Sequence, residues 1–167
     1  MASEDSTTAA RGKSLVALAG FVALCFAVAA VGGAVTATSV GTWYAGLAKP
    51  SFNPPNWLFG PVWSALYLMV AVTGWRVWRR RAHAGARTAL AAWGLQLALN
   101  LGWSFLFFGA RMIGAALAEI VLLLVAILVT AVLSWRIDRV AGWLLVPYAV
   151  WVGFATLLNA ALWRLNG

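Results

Sequence analysis

Acids, histidine and cysteine are nearly missing from this chain. Of 167 residues, four are Asp or Glu, one is His and one is Cys. The lone Cys25 rules out a disulfide framework within the chain and a Cys-rich metal site. With His83 as the one histidine, a multi-ligand metal centre is not expected, and none is assigned. The same scarcity leaves no hydrolytic or redox-cofactor constellation, so conventional enzymology is disfavoured. Charged residues make up 10% of the chain against 63% hydrophobic ones, and the mean hydropathy is +0.88. That balance belongs to a polytopic membrane protein. The net charge of +8 invites a nucleic-acid partner, but the basic residues lie between hydrophobic segments, where they set membrane topology. No nucleic-acid partner is expected.

Five apolar segments are long enough to span a bilayer. They cover about 14–36, 55–78, 86–109, 112–135 and 140–165, within a single domain over 14–167. Residues 1–13 (MASEDSTTAARGK) are polar and small and read as a disordered tail. The first segment is longer than a signal-peptide core and four more follow it, so it reads as a membrane helix. Small residues at Ala19, Ala23 and Ala27 would permit close packing there. Pro147, about two turns into the fifth segment, is placed to kink it. The expected fold is therefore all-α, a five-transmembrane-helix bundle.

Four of the five prolines lie in one stretch, WYAGLAKPSFNPPNWLFGPVW, from Trp43 to Trp63. Proline fixes φ, lacks an N–H and pushes the preceding residue away from helix. The stretch should open as an extended lid loop, about 37–54, and enter the second helix at Pro55. Irregular backbone cannot face lipid, so the lid lies at the water interface or covers a cavity. Nine of the twelve Lys and Arg residues fall on the side of the N-terminus and the second and fourth loops. The other side holds Lys49, Arg111 and Arg164. This asymmetry places the N-terminus in the cytoplasm and makes the lid extracytoplasmic.

Eleven tryptophans need sorting. Trp43, Trp57, Trp75, Trp78, Trp135, Trp143 and Trp163 lie near helix ends, where an interfacial belt explains them. Trp63, Trp93, Trp103 and Trp151 lie deeper, and for these site-lining and interhelical packing are both open. At 100° per residue, Trp93, Gln96, Asn100, Trp103 and Phe107 fall within an arc of about 80°. Gly94, Ala98 and Gly102 occupy nearly the opposite face, a ladder suited to close contact with another helix or a second subunit. Tyr148, Trp151, Ala155, Asn159 and Leu162 share a face of the fifth segment, and Trp63 and Tyr67 are one turn apart in the second. Three helices thus offer indoles and amides to one interior beneath the lid, the make-up of a small-molecule pocket. Glu119 is the one acid expected within the hydrocarbon. It is either a proton-coupled transport group or a structural acid that is paired or protonated, and no second buried acid forms a relay with it. Lys49 either meets an anionic group of a ligand or pairs with helix C-terminal carbonyls.

The Trp43–Trp63 string, QLALNLGWSFLFFG from Gln96 and PYAVWVGFATLLNAALW from Pro147 resemble the translocator protein (TspO/MBR) family over about residues 15–166. Its members are also called peripheral benzodiazepine receptors or tryptophan-rich sensory proteins, and this chain looks like a bacterial one. Glu119 and Thr130 also stand where the family often carries such residues. The resemblance implies a five-helix bundle, commonly a homodimer, that binds protoporphyrin IX or a related tetrapyrrole as ligand, and benzodiazepine-type ligands, with no obligatory cofactor. By motif, the ligand site would comprise Tyr44, Pro54, Trp63, Asn100, Trp103 and Ser104, with Tyr148, Trp151 and Ala155. The ladder Gly94, Ala98 and Gly102 would form the dimer interface. Trp63 and Trp151 match the tryptophans implicated in light-dependent porphyrin degradation by some bacterial relatives. The chain ends LNAALWRLNG without the tyrosine of a sterol-binding pattern, so specific sterol recognition is not expected.

Three functions compete: a tetrapyrrole-binding sensor or regulator of porphyrin handling in a bacterial cell membrane, a transporter of porphyrins or other amphipathic cargo, and a light-dependent porphyrin-degrading activity. No internal repeat and no pair of interrupted helices supports transport, so binding is favoured.

Overall fold

Long apolar runs without proline fold as uninterrupted helices, and each proline-rich or glycine-containing break ends one. The computed structural model describes residues 2–167, with side chains from residue 12 onward. Helix α1 spans Ala2–Val40, followed by a single short turn of helix, α2, at Trp43–Gly46. Then come α3 (Asn56–Arg79), α4 (Ala86–Ser104), α5 (Ile113–Ile137), α6 (Arg139–Leu144) and α7 (Val146–Asn166). Five helical stretches are long and apolar enough to cross a membrane: 12–40, 56–79, 86–109, 113–137 and 139–166. The protein is an all-α, integral multi-pass membrane protein.

Three boundaries depart from the sequence reading. The segment expected as a disordered tail continues the first helix back to Ala2. No proline interrupts residues 2–40. The lid also starts later, since α1 runs on to Val40, and part of it coils into α2. Pro55 caps α3 from outside, at φ −64° and ψ 143°, instead of opening its first turn. In the fifth span Pro147 cannot donate to the Trp143 carbonyl, so α6 ends at Leu144 and α7 begins at Val146, with Leu145 between them still in the right-handed helical region.

The fourth helix closes with a π-helical turn at Phe105–Gly109, where the Ala110 amide donates to the Phe105 carbonyl at 2.7 Å. Such wide turns shift side-chain phase and recur at functional sites. Here the turn aims Phe107 and Phe108 at the same interior space. Arg111, in the link to α5, adopts the left-handed φ of 58° that so tight a reversal demands.

The helices form a ring: α1 packs on α3 and α4, α4 on α5, α5 on α6 and α7, and α6 back on α3. At the arginine end the ring is closed tightly. A Cβ on Gly74 would come within 2.8 Å of both the Phe21 and Trp93 rings, so only glycine allows α1, α3 and α4 to meet there. The Trp93 indole N–H donates to the Val70 carbonyl at 2.8 Å, and Trp75 donates to the Ser14 carbonyl at 2.9 Å. The face of α1 turned inward carries Phe21, Cys25 and Gly32, while Ala19, Ala23 and Ala27 are exposed. The expected alanine packing stripe is therefore on the outside, because the bulkier Phe21 and Cys25 bury more apolar area against α3.

Asp138 completes this end. Its carboxylate caps α6 by accepting from the amides of Val140 (2.9 Å) and Ala141 (3.3 Å). It also accepts from Arg76 at 2.8 Å and from Arg80, binding the turn after α5 to the end of α3. Burial works to raise its pKa. The Arg76 hydrogen bond, the Ala141 amide and the two guanidinium charges outweigh that and hold it below the usual carboxylate range.

Candidate functional site

Towards the lid end, a cavity of about 500 Å³ lies between α1, α3, α4 and α7 under the lid. The size is within the range of small-molecule sites. Trp63 stands on the α3 wall, Trp103 and Phe107 on α4, and Trp151 on α7. Trp103 stacks on Phe107 with centroids 5.0 Å apart, and Trp151 meets Phe59 edge-on at 5.9 Å. Trp63 lies against Tyr67 at 5.6 Å and Tyr148 at 6.2 Å. The walls are thus broad, flat and aromatic, which favours a flat apolar ligand.

Polar groups in the walls form two short relays. Tyr67 donates to the Asn100 side-chain oxygen at 2.5 Å, and the Asn100 amide donates to the Tyr148 hydroxyl at 3.1 Å. Beside them the Trp103 indole donates to Asn159 at 3.1 Å, and the Asn159 amide donates to the Ile113 carbonyl at 2.9 Å. Each amide is engaged through both its oxygen and its nitrogen, so the relays fix their rotamers in an apolar setting. Trp151 differs: its indole nitrogen is buried without an acceptor.

The lid is fastened at several points. Ser39 donates to the Phe108 carbonyl at 2.8 Å, tying the end of α1 to the π turn. Tyr44 is buried and donates to Asn53 at 2.7 Å, while its ring packs on Phe108 at 5.8 Å. Burial pushes the Tyr44 phenol above its usual range against the opposing effect of Asn53, so it stays neutral at physiological pH. Asn166, in the last turn of α7, pairs with Ala48 through two bonds, accepting from its amide at 2.9 Å and donating to its carbonyl at 3.0 Å.

Of the residues expected at the site, Tyr44, Trp63, Asn100, Trp103, Ser104, Trp151 and Ala155 line the cavity. Tyr148 lies behind the wall and reaches it through Asn100. Pro54 is not in the wall, and its carbonyl accepts from Asn53 instead. Lys49 is not there either. Its ammonium donates to the carbonyls of Ala45 (3.0 Å) and Leu47 (3.2 Å) and sits 4.8 Å from the Tyr44 ring centroid, bracing the lid. Trp93 and Gln96, on the same helical face as Asn100, are buried in the lower core. Gly94 and Ala98 are exposed on the outer side of α4, while Gly102 faces Glu119 of α5. Both Glu119 oxygens are buried without a partner among the described residues, and Glu119 does not line the cavity. The wall contributed by α1, with Gly32, Gly33 and Thr36, was not expected. Its only sequence mark was the Gly32–Gly33 pair in an apolar helix. Gly33 and Gly60, on α1 and α3, have open space where a side chain would stand, so the cavity is thinly walled between those helices.

The model of the TspO/MBR family matches residues 21–164 of this chain. The protein belongs to that family. The tryptophan-rich protein TspO of Chlorobaculum tepidum is 39% identical over 161 residues, covering 92% of this chain and 98% of that protein. Protein CrtK of Rhodobacter capsulatus is 40% identical over 146 residues, 86% of this chain and 91% of its own length. The human translocator protein is 42% identical over 127 residues, 74% of this chain and 75% of that one. The TspO/MBR match runs from the arginine-end core of α1 to the last turn of α7 and so takes in every cavity wall.

Proposed function

We propose that this TspO/MBR protein binds a tetrapyrrole such as protoporphyrin IX in the covered cavity and acts as a sensor or regulator of porphyrin handling. The observation that carries this reading is an aromatic cavity of about 500 Å³ whose polar groups are few, with the Asn100 and Asn159 amides already engaged by neighbouring side chains. A planar macrocycle stacks on Trp63, Trp103 and Trp151 and leaves the Asn100 and Asn159 relays intact. Benzodiazepine-type ligands, aromatic with few polar atoms, suit the same walls. The words "sensory" and "translocator" in the names of relatives accord with a ligand-responsive membrane protein.

Porphyrin titrated into the detergent-purified protein should quench tryptophan fluorescence saturably, near one ligand per protomer. A folded protein that shows no saturation would remove the reading. A second reading, light-dependent porphyrin degradation, draws on the placement of Trp63 and Trp151 in the two facing walls. Indole is oxidisable, so porphyrin absorbance under illumination should decay more slowly in Trp63→Phe and Trp151→Phe. Equal decay in all three proteins excludes these indoles from the photochemistry.

The chain is further proposed to sit in a bacterial cell membrane with its N-terminus cytoplasmic and to form a homodimer through α4. Exposed Gly94 and Ala98 suit close helix contact. Light scattering of the purified protein should give a dimer mass, and Ala98→Trp should reduce it to a monomer's.

A further inference from the structure

At the arginine end, a groove of about 250 Å³ opens on the flank of the bundle and shares no lining residue with the covered cavity. Ala131, Val132 and Trp135 of α5 form one side of it, Gly142 and Val146 the other, and Arg136 borders it. Two sequence features carve this space. The one-residue break at Leu145 separates α6, which brings Gly142 to the groove, from α7, which brings Val146. A Cβ on Gly142 would lie 2.8 Å from that of Trp135, so only glycine lets the indole rest against α6. Trp135 and Trp143 then pair edge-on at 4.9 Å, both exposed, as indoles do at headgroup depth.

The charges around the groove are unbalanced. Asp138, the acid of this turn, is already engaged by Arg76 and Arg80. Arg136 and Arg139 have no ion-pair partner among the described residues. Arg136 lines the groove one helical turn beyond Val132, and Arg139, outside the lining, stands one turn before Gly142 on α6. Ala131, Val132, Gly142 and Val146 offer no side-chain hydrogen bond. The occupant therefore has an apolar body and an anionic head, and it arrives from the bilayer against which these helices stand.

We propose that this groove is a lipid site, holding an acyl chain of an anionic glycerophospholipid whose phosphate lies on Arg136 and Arg139. A zwitterionic lipid brings its own cation and gains less from the arginines. The test is native mass spectrometry of the full-length, delipidated protein offered equal amounts of phosphatidylglycerol and phosphatidylcholine. Wild type should retain phosphatidylglycerol preferentially, by about fivefold for each arginine engaged. The double variant Arg136→Gln/Arg139→Gln should erase that preference, and Ala131→Leu, which fills the groove, should lower retention with both arginines intact. Arg81→Gln, which removes an exposed arginine stacked on Trp78, should change nothing. Equal retention of the two lipids by wild type would overturn the proposal, and that arm needs no variant to fold. So would a loss in Arg81→Gln as large as in the double variant, which would mean a diffuse positive field. Unchanged retention by Ala131→Leu, or displacement of the lipid by millimolar inorganic phosphate, would remove the groove's role.

Discussion

The two ends of this bundle solve opposite problems with the same residue types. At the arginine end, indoles serve closure: Trp93 and Trp75 spend their N–H groups on backbone carbonyls, and Gly74 lets three helices touch. At the lid end, indoles serve space: Trp63, Trp103 and Trp151 stand around the cavity between α1, α3, α4 and α7. The electrostatics divide in the same way. The arginine end concentrates its ion pairs on one buried carboxylate, whereas the cavity is bounded by neutral amides and phenols. Tight closure and open space thus belong to separate halves, and a substitution should affect one without the other.

The largest effect is expected where the closed end is fastened. Asp138→Ala removes a helix cap and both ion pairs and leaves Arg76 and Arg80 facing each other, a loss of about 3 kcal/mol. Thermal unfolding followed by tryptophan fluorescence should shift strongly downward, while porphyrin still binds with the same stoichiometry. Gly74→Ala follows, at about 2 kcal/mol, because its methyl group overlaps Phe21 and Trp93. A melting temperature equal to wild type for either variant would place the stability of the fold elsewhere.

Changes in the open half should register in binding. Trp63→Ala should weaken porphyrin affinity about tenfold, or about 1.4 kcal/mol, and move the melting temperature less than either variant above. Gly60→Leu, on the thin wall between α1 and α3, should slow porphyrin association and leave the melting temperature alone. The smallest effect is that of acid. The Asp138 pKa is depressed in the fold, so its contribution is complete above the unfolded value of about 4 and is lost as pH falls through the folded one. The wild-type melting temperature should therefore be level from neutrality to about pH 5 and decline below about pH 4. That decline should be smaller in Asp138→Asn.

Much of this division could be read from the chain. Indoles and amides on one helical face marked α3, α4 and α7 as walls, because polar groups in an apolar segment have few places to go. The α1 wall carried no such mark. Gly32 and Gly33 shape the cavity by what they lack, and only the packing of Ser104 against Gly32, 3.2 Å from where a side chain would begin, makes that visible. The helical face running from Trp93 to Phe107 was read as one surface, yet it is divided. Trp93 and Gln96 fall below the floor made by Asn100, since a helix of that length passes through both halves. In the sequence Asp138 is one residue of the short polar stretch Arg136-Ile137-Asp138-Arg139. Its role depends on Arg76 and Arg80, about sixty positions away, a pairing that no local pattern encodes.

The two hydrogen bonds between Asn166 and Ala48 make the last turn of α7 a hinge pin for the lid. Trp151, in the cavity wall, and Asn166, at the lid, stand on the same helix, so the cover and one wall of the cavity are parts of a single element.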